Sequence, residues 1–252
     1  MTTIPAFSKL ALTPIALALA GAGAATAADW GYEGPAGPAS WGDLSAEYEM
    51  CKIGRMQSPI DLAAANAQGD VHVSVAYDAG ALTVLNNGHT VQANFDAGST
   101  MTSGDMTFDL VQVHFHTPSE EAIAGKRYPM VGHFVHADSE GRLAVLGILF
   151  EEGAANAELQ KIVDAAPADK TPAHTISGTM IDPNGMLPGD MGVYRFQGSL
   201  TTPPCSEGVN WHVVKQPVTA SASQLAAMTD IMGNNARPLQ PLHGRLVVAP
   251  AE

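Results

Sequence analysis

The chain is poor in basic residues, in cysteine and in long apolar runs. It carries 12 Lys and Arg against 25 Asp and Glu, a formal net charge of −13. A surface of that sign repels phosphate backbones and anionic lipid, which argues against nucleic acid and membrane surfaces as partners. Two cysteines, Cys51 and Cys205, allow either one disulfide or two buried thiols. Beyond the first 28 residues no segment approaches the roughly 18 apolar residues of a membrane span. The run Leu143 to Phe150 reads instead as a buried strand. With 46% hydrophobic and 15% charged residues, the chain can bury a sizeable core as one domain. It shows no internal repeat and no linker.

The start has a different character. Lys9 is the one charge before Asp29, Leu10 to Ala20 is apolar, and small residues follow to Ala25-Thr26-Ala27. This is the pattern of a secretory signal peptide cut near Ala27 or Ala28. The expectation is an exported protein, periplasmic or secreted, with 1–28 as the signal and 29–252 as the single domain; a retained N-terminal anchor is the alternative. Export favours the disulfide over free thiols.

The 17 prolines and 25 glycines point to many turns and few long helices. Trp30-Gly31-Tyr32-Glu33-Gly34-Pro35 and Trp41 read as an irregular arm laid across the body, with a helical turn near Ser45 to Met50. Leu82 to Phe95 alternates around Asn87-Gly88, the signature of a hairpin with a two-residue turn. Further strands are expected over Phe108 to His116, Tyr128 to His136 and Arg142 to Phe150, the last central because it lacks polar alternation. Two short strand regions, around Tyr194-Arg195-Phe196 and Val209 to Val214, flank the loop Gly198 to Cys205. Helical spacing appears over Ala155 to Ala165 and over Ser221 to Met232, with Ser221 as a cap. The fold class is mainly β.

One stretch carries chemistry. His114 and His116 are two apart, so on a strand both rings face one side while Phe115 faces the other. His133 lies in the next alternating run, beyond the turn Ala124-Gly125-Lys126-Arg127. An antiparallel neighbour would bring it beside the pair. Three imidazoles with a fourth position open is how proteins build catalytic zinc. A lone histidine would more often be a plain core residue, but His-x-His with a third one hairpin away favours metal. A His-x-His pair also occurs in redox-metal oxygenases, which usually add a Glu ligand, and Glu120 follows His116 at a suggestive spacing.

The surrounding pieces resemble the bacterial branch of the α-class carbonic anhydrases over nearly the whole chain after residue 28. They include Gln57-Ser58-Pro59-Ile60-Asp61, Asn86-Asn87-Gly88-His89, Gln112-Val113-His114-Phe115-His116, Ser119-Glu120, His133-Phe134-Val135-His136, Leu143 to Gly147, Gly198 to Pro204, and Asn235-Ala236-Arg237-Pro238. The resemblance implies a large twisted sheet of about ten mostly antiparallel strands with a few short peripheral helices. It implies zinc on His114, His116 and His133. Zinc on three neutral imidazoles lowers the pKa of its bound water, an effect for which carbonic anhydrase is the reference example. The implied reaction is the reversible hydration of carbon dioxide to bicarbonate and a proton through zinc-bound hydroxide, with esterase activity on the side. Thr201 would orient the hydroxide and hand its own proton to Glu120. His89 would carry protons to buffer, its ordinary pKa of about 6.5 suiting it to that task, with Tyr32, Asn87 and Gln92 lining the water path. Val135, Val145, Leu200, Thr202 and Trp211, together with Thr201, would receive the substrate. Taken alone, the apolar members of that set would read as plain core. His212 would point away from them.

Gln112 and the backbone of Asn235 would fix the rings of His114 and His116. Cys51 and Cys205 match a disulfide pair. The family's bacterial members are often dimers, of which the sequence itself carries no sign. Relatives that keep the fold as binding modules lose ligands, whereas all three ligand positions are intact here. Three positions depart from the family. Val131 stands where a Glu normally accepts the hydrogen bond of the third ligand, leaving His133 in want of an acceptor such as a water or a backbone carbonyl. Glu121 replaces a common His and Phe196 a common Tyr, neither of which touches the metal ligands in the family.

Overall fold

The computed structural model describes residues 29–251; the expected signal segment lies outside them. Alternating sequence builds the body as ten principal strands. These are β1 (Ala67–Gly69), β2 (Gly80–Asn86), β3 (Val91–Asn94), β4 (Met106–His116), β5 (Met130–Ala137), β6 (Leu143–Glu152), β7 (Thr171–Ile181), β8 (Val193–Ser199), β9 (Glu207–Val214) and β10 (Val247–Pro250). They form one sheet in the order β1-β10-β8-β9-β6-β5-β4-β3-β2-β7, from which the short strands Ser74–Ala76, Thr100–Ser103 and Val218–Ala220 branch. Pairing is antiparallel except for β1 with β10, β6 with β9, and Val218–Ala220 with β6. The sheet is therefore mixed, large and mainly antiparallel, as expected.

The reason β6 lacks polar alternation is that both sheet faces are covered. Ala144, Leu146, Ile148 and Phe150 join Phe108, Phe115 and Phe134 in one core, while Val145 and Leu149 join Val131, Val209, Trp211 and Val213 in the other. Each large side chain so buried contributes roughly 1.5–3 kcal/mol. The first core is closed by α3 (Ala157–Ala165) and α4 (Ala222–Met232), through Leu159, Ile162, Leu225 and Met228. Asn156 caps α3 by accepting from the N–H groups of Glu158 and Leu159. Ser221 caps α4 and Gln224 completes a reciprocal capping box. Both helices start within two residues of their sequence-based positions.

The N-terminal arm is pinned rather than regular. Two single-turn helices, α1 (Trp41–Leu44) and α2 (Met50–Ile53), flank a short 3-10 turn. Trp41 is fully buried and its indole N–H donates to the carbonyls of Gly31 and Ala36. Arg237, equally buried, lies over that ring and donates to Gln57 Oε1 and to the carbonyls of Ser58 and Cys51. Cys51 and Cys205 are joined as a disulfide across 154 residues.

Two expectations change. The β2–β3 turn is shifted by one residue from Asn87-Gly88: Asn86 pairs with Val91 and the Asn87 N–H donates to Thr90 O, so Gly88 and His89 are its central residues. Gly88 alone in that loop has positive φ. The Asn86 side chain accepts from Gly88 N–H and that of Asn87 from the N–H groups of His89 and Thr90, so two side chains shape the loop. Strand β7 was not foreseen. It is an edge strand, mostly exposed, with Pro172 and Gly178 interrupting any alternation.

Candidate metal centre

The pleat of β4 turns His114 and His116 to one face, and the β4–β5 register sets His133 directly opposite His114. Nitrogen atoms of the three rings lie within 4.8 Å of one another. In each ring one nitrogen is already engaged. Gln112 Oε1 lies 2.9 Å from His114 Nδ1, and the Asn235 carbonyl 2.8 Å from His116 Nδ1. Glu121 lies 3.2 Å from His133 Nε2. That leaves Nε2 of His114, Nε2 of His116 and Nδ1 of His133 as the free donors. His116 Nε2 is buried with no hydrogen-bond partner among the described residues, which is the condition of an atom awaiting a ligand. Burial, helped by the neighbouring His133, depresses His114 to about 3 and His116 well below its ordinary value, so both offer neutral lone pairs. For His133, burial acts downward but the carboxylates of Glu121 and Glu120 outweigh it and raise its pKa. Three neutral-capable imidazoles with one open side form a donor set that fits zinc.

The partner at His133 corrects the sequence-based reading. Val131 does point with His133 into the second core and cannot accept a hydrogen bond. Glu121, expected to touch nothing at the metal, supplies the missing acceptor instead of a water or a backbone carbonyl. The sequence hid this because Glu121 reaches in from the loop after β4, where no periodicity fixes side-chain direction.

Glu120 is wholly buried beside these rings. Its Oε1 accepts from Arg237 N–H at 2.8 Å, and Oε2 sits 3.6 Å from His116 Nε2 and 3.9 Å from His133 Nδ1. Burial pushes its pKa up to about 7. His133, the Thr201 hydroxyl and the Arg237 N–H pull it down, while Glu121 adds to the rise. Tyr32 is nearby, its hydroxyl buried and its pKa driven up by burial and by Glu120.

Above the rings opens a cavity of about 320 Å³ lined by Trp30, Tyr32, Asn87, His89, Gln92, Gln112, His114, His116, Val135, Leu200 and Thr202, and by Thr90 and Leu143. The last two escaped the sequence analysis. Thr90 is explained by its hydroxyl, which donates to Phe115 O at 2.7 Å and so ties the loop to β4. Val145, Thr201 and Trp211 are buried outside the lining set. Trp211 meets the His133 ring edge-on with centroids 4.9 Å apart and donates its N–H to Ser199 O. His212 faces away, as expected, to Ser103. His89 is half-buried at the rim and stacks flat on Trp30 at 3.8 Å. Burial and Lys170 lower its pKa. The Asn235 side chain holds the region together, accepting from Thr117 N–H and donating to the carbonyls of His89 and Phe115.

Residues 36–251 match the family model for eukaryotic-type carbonic anhydrase. A carbonic anhydrase from Pectobacterium atrosepticum is 45% identical over 239 residues, covering 93% of this chain and 97% of that one. The α-carbonic anhydrase of Thermovibrio ammonificans, solved with the inhibitor sulfanilamide, superposes with a TM-score of 0.81 at 44% identity, covering 88% of this chain and all of that one. The α-carbonic anhydrase of Photobacterium profundum gives 0.82 at 42% identity, over 87% of this chain and 100% of its own. With the fold, the three convergent imidazoles and matches across nearly the whole described chain in agreement, this protein belongs to the α-carbonic anhydrase family.

Proposed function

We propose that this chain catalyses the zinc-dependent, reversible hydration of carbon dioxide to bicarbonate and a proton. The observation that carries the reading is the convergence of three imidazoles, each with its second nitrogen engaged, beside Glu120 and beneath a half-apolar cavity. Zinc held by His114, His116 and His133 would supply Lewis acidity, lowering the pKa of a water so that it attacks carbon near neutral pH, as carbonic anhydrase exemplifies. The chain's own residues do the rest. Gln112 and the Asn235 carbonyl hold two of the rings in the tautomer that presents Nε2. Thr201, whose hydroxyl holds the Glu120 pKa down, points its proton at that carboxylate and so leaves its own oxygen as an acceptor. The attacking oxygen then has one lone pair free for carbon. Val135 and Leu200 form the apolar wall of the cavity that receives carbon dioxide, with Val145 and Trp211 behind them and Thr202 at the polar edge. His89 takes the released proton to buffer, and Tyr32, Asn87 and Gln92 order the water path to it. The same site would hydrolyse activated esters.

Residues 1–28 act as an export signal and 29–252 as the catalytic domain, placing the enzyme in the periplasm or outside the cell. The disulfide supports an oxidising compartment. Stopped-flow hydration of carbon dioxide by the wild type and by His114→Ala tests the catalytic reading. The substitution should bring the rate to the uncatalysed background, and equal rates for the two proteins would overturn it.

A further inference from the structure

We infer that Glu121 is the positioning residue for His133, holding its ring from a loop because the strand position that could have done so is occupied by Val131. The inference rests on the zinc reading above.

A buried ring N–H without an acceptor costs about 1–3 kcal/mol, and it leaves the ring free to turn or to swap tautomers. His133 is buried to 1% exposure, so the protein must satisfy its second nitrogen. Along β5 the residue two positions earlier shares its face. That residue is Val131, fully buried and opposite His116 and Leu149 on the neighbouring strands. It offers only methyl groups. The side chain that meets the nitrogen is Glu121, whose two carboxylate oxygens both lie 3.2 Å from His133 Nε2. With Nε2 donating to a carboxylate, Nδ1 carries the lone pair, on the side where Nε2 of His114 and of His116 converge.

Glu121 has no competing task. It is fully buried, and among the described residues its carboxylate has no partner other than His133. No Lys or Arg pairs with it, and Oε1 lacks any hydrogen bond. A buried carboxylate is costly to leave uncompensated, so its placement is explained by what it faces. Its backbone is also fixed. Ser119 Oγ donates to Glu121 O at 2.7 Å and accepts Tyr128 N–H. The next residue, Ala122, donates to Ile60 O and opens the hairpin of Ala122–Ile123 with Lys126–Arg127, whose turn N–H groups at Ala124 and Gly125 are held by the Asp61 carboxylate. The carboxylate is therefore delivered from a tethered loop rather than from the ligand's own strand.

The test is zinc affinity, measured by competition with a chromophoric chelator on the wild type, Glu121→Gln, and the pair Glu121→Ala with Val131→Glu. Loss of such a partner typically weakens metal binding about 10- to 100-fold. Glu121→Gln should show that loss with faster zinc release, while the paired substitution, returning a carboxylate to the strand, should recover most of it. In parallel, the proton on His133 Nε2 is followed by NMR in zinc-loaded wild type. It should resonate far downfield and be slow to exchange, as a proton held by a carboxylate is. Zinc affinity of Glu121→Gln within about twofold of wild type, or a fast-exchanging Nε2 proton in the wild type, would overturn the assignment. Melting of the zinc-free proteins is recorded alongside. If weaker zinc binding merely follows a loss of zinc-free stability and the paired substitution does not recover it, the role is structural and the assignment falls. A wild type that takes up no zinc would overturn the metal reading itself.

Discussion

His136 and His212 are buried on the far side of the sheet from the metal ligands and should make the fold sensitive to mild acid. His136 Nε2 lies 2.7 Å from the Tyr77 hydroxyl and His212 Nε2 lies 2.8 Å from Ser103 Oγ. Burial depresses His136 to about 4 and His212 to about 3, Arg195 and His136 adding to the second shift. In the unfolded chain both return to about 6.5. Below that pH the unfolded state takes up protons that the native state refuses. The stabilisation is thus present above pH 6.5 and lost as pH falls toward 4 and 3. Between pH 7 and pH 5 each group accounts for about 2 kcal/mol of lost stability, about 4 kcal/mol for the two. Urea unfolding of zinc-free wild type, His212→Gln and His136→Gln at both pH values measures this. Each variant should lose about 2 kcal/mol less than wild type over that interval. Titration of the metal ligands is common to all three proteins and drops out of the comparison. Equal pH 7-to-5 losses in wild type and variants would refute the argument that these buried rings are neutral in the native state.

Other expectations follow from the site and the arm. His89→Ala should slow turnover by ~10²-fold in dilute buffer and be rescued by added imidazole; an unchanged rate in dilute buffer would remove His89 from the proton path. Replacing Cys51 and Cys205 by Ser opens a loop spanning 154 residues, for which chain entropy sets an upper estimate of about 5 kcal/mol. Guanidinium unfolding should register a loss approaching that figure, and an unshifted midpoint would contradict it.

The metal triad could be read from the sequence because the pleat leaves little choice. Two histidines two apart on a strand share a face, and a third on the adjoining hairpin partner lands opposite. The same rule made β6 central and put Val131 on the face of His133. It fails where geometry comes from loops. Glu121 follows Glu120 directly in the chain, yet the two carboxylates reach different rings, and nothing in their spacing says so. The division of the cavity escaped for a related reason. Val145 and Leu143 are both on one strand face, and only the depth of the fold decides that Leu143 lines the opening while Val145 is buried outside it. Asn87-Gly88 signalled the hairpin correctly, but the Asn86 and Asn87 side chains, bonding to the loop backbone, set its centre one residue later, at Gly88 and His89.

The pairing of β1 with β10 sets Ala67 beside Val248, and the acceptor for His116 and the N–H donor to Glu120 come from Asn235 and Arg237. The ligands themselves sit on adjacent antiparallel strands that can meet early, but the acceptor that orients His116 and the N–H that holds Glu120 arrive only with the last part of the chain. Contacts of such long range make folding slow. Zinc, binding tightly only to the finished arrangement, would act as a late lock that pulls the equilibrium toward the complete molecule. A chain stopped before residue 235 would keep all three ligands but lose the acceptor that orients His116 and the N–H that holds Glu120.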